Sequence, residues 1–153
     1  MYNFIVKKKA KSFNSYRSPN KGNIPEKDSY AWHIHRALEL FWPDFALLNS
    51  DLYGIVYYFY KKNSGIDADN ISKPVWDSLT GKLYANDNQV KMRVAGTFDI
   101  SRPSPTLLDF SNLKENMVVQ LLSAIEEEDH IIYIECGHLS YSLYKFGIEN
   151  NGN

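Results

Sequence analysis

Two periods organise the apolar positions along the chain. Residues 52 to 60, LYGIVYYFY, are apolar on both alternating faces, which predicts a central strand covered on two sides. HIIYIEC, from His130, predicts a second buried strand, and YNFIV near the start a third. In QVKMRVAGTFDI, residues 89 to 100, Val90, Met92 and Val94 alternate with Lys91 and Arg93, the pattern of a strand with one wet face. Helical spacing governs the rest. Ala31, Ile34, Leu38 and Phe41 predict a helix capped by Ser29 and stopped by Pro43. Leu107, Phe110, Leu113, Met117, Leu121 and Ile125 predict another, ending in EEED. A further helix is expected from about Asn70, capped by Asp69 or Asn70, with Ile71, Val75 and Leu79 stepping by four until Gly81.

Strands and helices mixed in this way predict an α+β or α/β domain, with α+β, a mixed β-sheet carrying packed helices, as the expectation. One domain over residues 1–153 is expected, since no internal repeat or low-complexity linker interrupts it. Ser12 to Asp28, rich in Asn, Ser, Pro, Lys and Gly, reads as a long mobile loop, and the polar end IENNGN as frayed.

Composition narrows the setting. No apolar run approaches the ~20 residues of a membrane span, and in MYNFIVKKKAKS the basic residues follow the apolar ones, the reverse of a secretory signal. A cytoplasmic protein without membrane partners is expected. The single Cys136, inside an apolar run, reads as a small buried hydrophobe. The net charge of −1 conceals an asymmetry: 15 Lys/Arg against 10 Asp/Glu up to Arg102, then 2 against 8, so +5 and −6 sum to −1. A polyanion is therefore expected across the first two thirds, with the acidic remainder turned away.

Candidate chemistry concentrates in GIDADNISKPVWDSLTGKLYANDNQ, residues 65 to 89. If GIDADN is extended, Asp67 and Asp69 project to the same side. On the helix that follows, Asp69, Lys73 and Asp77 step by four on a face about 200° from the apolar stripe. A Lys73–Asp77 pair is worth only about 0.3 kcal/mol, too little to account for the whole group. Asp87, just before the QVKMRV strand, is a third carboxylate that could meet Asp67 and Asp69 at one mouth. Hard oxygen donors without Cys or His favour Mg²⁺, with Mn²⁺ as a substitute, over softer metals. Such an ion can activate water and neutralise charge on phosphorus, with Lys73 holding the phosphate or orienting the water. The bland alternative is an Asx-turn and helix cap with solvated aspartates. An EF-hand fits badly, because the twelve-residue D-x-D-x-D-G pattern and its closing Glu are missing.

At these residues the chain resembles the RusA family of Holliday junction resolvases, whose pattern is roughly D-x-D-N-x-x-K-x-x-x-D-x-L-T, a short loop, then D-D-x-Q-V. Asp67, Asp69, Asn70, Lys73, Asp77, Leu79, Thr80, Asp87, Gln89 and Val90 match in order. The resemblance is good over residues 52–100 and weaker at KSFNSYR, where Asn14 and Tyr16 fit a family N-x-x-Y-like loop. It implies a RusA-like, homodimeric, magnesium-dependent endodeoxyribonuclease that nicks four-way junctions in recombination and repair, of the kind found in prophages. It further implies Asp67, Asp69 and Asp87 as metal ligands, Lys73 as the catalytic lysine, and Asn70 and Asp77 as supporting residues. Lys7, Lys8, Lys9, Lys11, Asn14, Tyr16, Arg17, Lys61 and Lys62 are the candidate DNA contacts.

Two positions depart from the family pattern. Asn86 stands where the first aspartate of the D-D pair is usual, and the basic tract before the motif shrinks to Lys61 and Lys62. The helix and strand at 104–138 fall outside the resemblance and have no assigned role. His33 and His35 are about 200° apart on a helix and make a poor metal pair. His130 and His138 flank a strand and read as satisfied, and the tyrosines read mostly as core, with one able to stack on an unpaired base. The rival functions are a branched-DNA-binding relative that does not cut, motivated by Asn86, and a DxD glycosyltransferase, disfavoured by the lack of a Gly-rich phosphate loop.

Overall fold

The computed structural model describes residues 1–17, 24–62, 65–101 and 108–147. Strands β1 (Tyr2–Val6), β2 (Leu52–Tyr60), β3 (Val90–Asp99) and β4 (His130–His138) form one mixed sheet in the order β1-β4-β2-β3. Only β2 and β3 run parallel; β4 is antiparallel to both β1 and β2. Helices α1 (Tyr30–Phe41) and α2 (Ala68–Leu79) cover one face and α3 (Glu115–Glu127) part of the other. The α+β expectation of helices packed on a mixed sheet describes this architecture.

Apolar periodicity explains the layers. Leu52, Val56 and Tyr58 of β2 point into the α1/α2 core with Ile34, Leu38, Ile71, Val75 and Leu79, while Phe59 joins Met117 and Leu121 beneath α3. A strand buried on both faces must be apolar on both, and β2 is central as its sequence predicts. Ser29 caps α1, its hydroxyl accepting from the Trp32 N–H at 3.2 Å. Cys136 is fully buried and its thiol is pushed up to about 12 by desolvation, consistent with an inert core position.

Local chemistry shifts two expected boundaries and one strand register. Helix α2 begins at Ala68, two residues earlier than expected, with Asp67 extended at the cap position. Helix α3 begins only at Glu115, because the Asp109 carboxylate accepts from the Ser111 N–H at 2.9 Å and diverts the chain into a turn; Phe110 and Leu113 precede the helix. Leu107 lies outside the described residues. In β3 the register shifts between Val90, opposite Leu52, and Met92, opposite Tyr53. Exposure still alternates over Val90–Val94 as expected, with Lys91 and Arg93 exposed, but the bulge sends Val90 to the α1/α2 face while Phe98 reaches the α3 face, so the apolar positions of the strand do not share one face.

The parallel pair decides where the motif goes. The chain leaves β2 at Tyr60, returns along α2, and enters β3 at the end where Leu52 opposes Val90. Asp67 and Asp69 therefore belong to one end of the β2–α2–β3 crossover and Asp87 to the other.

Candidate active site along helix α2

Helix α2 is seated by Trp76. Its indole lies against Gly54 of β2, where an added Cβ would come within 2.4 Å of the ring, and its N–H donates to the Ser72 hydroxyl at 3.1 Å. The Trp76 carbonyl accepts from the Thr80 N–H, the Thr80 hydroxyl and the Tyr84 hydroxyl, at 3.1, 3.0 and 2.6 Å. These bonds close the helix C-terminus, after which Gly81 turns the chain with φ of 81°. With Ile71, Val75 and Leu79 buried, the Asp69–Lys73–Asp77 row is left on the outer side.

At the N-terminal end, Asp67 occupies the cap position but its side chain caps nothing. Asp69 stands in the first turn, and both carboxylates are exposed. The bland expectation of a helix cap is thus not met, and the two acids are related by a cap-to-first-turn step rather than by strand alternation. Unpaired helix N–H groups make this end of α2 favourable for negative charge. One turn on, Lys73 donates to both Asp77 oxygens at 2.9 and 2.8 Å. Its ammonium also lies 5.5 Å from the centroid of the Phe13 ring. Asn70 is half-buried beside them.

Asp87 opens a short 3₁₀ turn, Asp87–Gln89, which Asn86 caps by accepting from the Asn88 N–H at 2.9 Å. Gln89 accepts from the Ala85 and Asn86 N–H groups and donates to the Leu48 and Ser50 carbonyls, bracing the turn against the preceding loop. Asn86 is therefore a cap, a role in which Asn and Asp are equivalent. Replacing Asn86 with Asp should leave urea stability nearly unchanged, and Asn86→Ala should cost about 1 kcal/mol. The N-x-x-Q spacing carried this signal. Arg93, displaced by the bulge, donates to the Asp87 carbonyl at 3.4 Å, a contact that the sequence did not suggest. Nor does any spacing link Phe13 to Lys73.

The donor set suits a hard divalent cation: three carboxylates with no competing Cys or His. Their convergence within one chain does not occur. Among the described residues no group of three or more His, Cys, Asp or Glu side chains is assembled for a metal, and Asp87 stands at the far end of the crossover from Asp67 and Asp69.

The basic candidates divide. Lys8, Lys9, Lys11, Asn14 and Arg17 are exposed. Lys7 pairs with Glu127 and Glu128 at 3.6 and 3.5 Å, Lys62 pairs with Asp129, and the Lys61 ammonium donates to the Glu126 carbonyl at 2.8 Å. The acidic end of α3 is thus folded against part of the basic set, not turned away from it. Tyr16 is structural: its hydroxyl shares a 2.8 Å hydrogen bond with Ser78 of α2 and its ring meets Tyr30 edge-on.

His130 and His138 are satisfied, as expected, and His35 is too. His130 bonds the Tyr58 hydroxyl at 2.8 Å, and His138 the Ser50 hydroxyl. His35 bonds the Ser78 carbonyl at 2.6 Å, and burial, partly opposed by that bond, lowers its pKa below 6.5. A base whose folded pKa is depressed takes up its proton more readily when unfolded, so its contribution is present above about pH 6.5 and is lost as pH falls below that value. Urea unfolding should show stability falling from pH 7.5 to 5.5, with a shallower fall in His35→Gln.

Parallel βαβ architecture with bare acids and an anchored lysine along the crossover helix defines the class of α+β protein to which this site belongs. The family model described as Endodeoxyribonuclease RusA matches residues 47–104, which span the whole crossover, so over that segment the chain is similar to the RusA family. No curated protein matches the chain. Among the described residues no helix is long and apolar enough to cross a membrane.

Proposed function

We propose that this protein is a magnesium-dependent endodeoxyribonuclease that nicks Holliday junctions as a homodimer, serving recombination and repair. The observation that carries the reading is the state of Asp67. It sits where a helix cap belongs, yet its carboxylate makes no cap bond and stays exposed beside Asp69, at the spacing of the family motif. An acid held at a capping position but left without that partner is suited to an external cation.

Within this reading Asp67 and Asp69 offer oxygens at the positive end of α2. A second copy brings Asp87 to complete the trio that one chain keeps apart. A bound magnesium-class ion supplies Lewis acidity toward a phosphoryl oxygen and a more acidic water. Lys73, held by the paired Asp77 oxygens, presents its ammonium to a phosphate oxygen, and Phe13 restricts where that ammonium can move. Exposed Lys8, Lys9, Lys11 and Arg17 attract the DNA backbone. The capping role of Asn86, which Asp could fill equally, supports reading its presence as structural rather than as the loss of a metal ligand.

The test is subunit mixing. Asp69→Asn and Asp87→Asn homodimers should each fail to nick a four-way junction. After exchange, random pairing should restore about a quarter of the wild-type sites, because one intact site forms in each heterodimer. Absence of recovery despite verified exchange would refute the shared site.

A further inference from the structure

On the sheet face opposite α2, a cavity of about 400 Å³ opens between the strands and the turn before α3, with Tyr57, Phe98 and Phe110 in its wall and Asp109 and Glu135 among its lining residues. Glu135 belongs to β4, which lies inside the sheet between β1 and β2, and is half-buried. Tyrosine hydroxyls hold its carboxylate from two sides: Tyr53 donates to one oxygen at 2.7 Å and Tyr133 to the other. Desolvation raises the pKa of both tyrosines, so both remain donors at neutral pH.

Two hydroxyl bonds leave this carboxylate with acceptor capacity, because an ionised carboxylate offers about four lone-pair sites. It makes no ion pair among the described residues, and no described Lys or Arg lines the cavity. A half-buried anion without a counter-charge is costly, and an aromatic wall is poor solvation for it. A cation entering the cavity would meet that carboxylate and the ring faces together. The same two acids repel a polyanion, which sets this cavity apart from the DNA-facing chemistry on the other face.

We propose that this cavity binds an organic cation bearing a guanidinium or primary ammonium group, with Glu135 as its counter-ion and Tyr57 in its aromatic wall. The cation is either a free small molecule or a side chain presented by a second copy of the chain. Calorimetric titration of the full chain with arginine amide tests this, with citrulline amide as the uncharged isostere. Arginine amide should bind saturably, at least about tenfold more weakly to Glu135→Gln and Tyr57→Leu, and citrulline amide should not bind. Asp109→Asn, at an exposed position, should weaken binding by a smaller factor and keeps the test readable if the buried variants fail to fold. Sedimentation during the titration separates the sources: arginine amide leaves the oligomer unchanged if the natural occupant is free, and dissociates it if the occupant is the second copy's side chain. The proposal is overturned if arginine amide does not bind, if Glu135→Gln and Asp109→Asn bind it as well as wild type, or if citrulline amide binds equally.

Discussion

Replacing Asp69 with Asn is expected to reduce magnesium-dependent nicking of a four-way junction by about three orders of magnitude, equivalent to roughly 4 kcal/mol of transition-state stabilisation. Junction binding in calcium and the melting temperature should change little. The separation follows from the position of the side chain. Asp69 is exposed in the first turn of α2, so the isosteric amide disturbs no packing, whereas a hard cation loses a charged oxygen donor. Under the proposed function, phosphate contacts elsewhere are expected to keep the junction bound. Single-turnover cleavage of a labelled junction measures the first effect and a gel-shift titration the second. Nicking within threefold of wild type would remove Asp69 from the reaction.

The second large effect is on stability. Trp76 is among the largest fully buried side chains and fits the notch left by Gly54. Trp76→Ala should cost about 3–5 kcal/mol, the usual range for emptying a large aromatic site. Gly54→Ala approaches the same contact from the other side. Its Cβ would lie 2.4 to 2.9 Å from three indole atoms, so the ring or the helix must shift, at about 1–3 kcal/mol. Because the two residues share one contact, combining Gly54→Ala with Trp76→Leu should destabilise by less than the sum of the single changes. Urea unfolding of the four proteins measures the coupling, and strict additivity would show that the notch does not hold the helix. A shifted α2 would carry Lys73 and Asp77 with it, so Gly54→Ala should also depress nicking at temperatures where the fold remains intact.

Much of this was readable in the chain itself. Ile71, Val75 and Leu79 announced the buried side of α2, and Ser29 the start of α1, because such signals are local and the partner is always the same helix or its own backbone. The doubly apolar β2 announced its central place for a similar reason. The start of α2 was misread because either Asp67, Asp69 or Asn70 could occupy the cap, and residue type alone does not choose among adjacent capping residues. The bulge in β3 was hidden because one shifted register leaves the alternation on paper intact. Pairing of Lys7 and Lys62 with the acidic end of α3 was equally hidden, since charge counts carry no information about which distant residues become neighbours.

By itself, then, the amino-acid order determined the strands, the helices and the family spacing of the acids and lysine, all of which depend on residues within a turn or two of one another. Tertiary structure alone decided that Asp87 stands apart from Asp67 and Asp69. Parallel pairing of β2 with β3 obliges the chain to travel back along the sheet between them, and that journey puts the third carboxylate at the opposite end of the crossover.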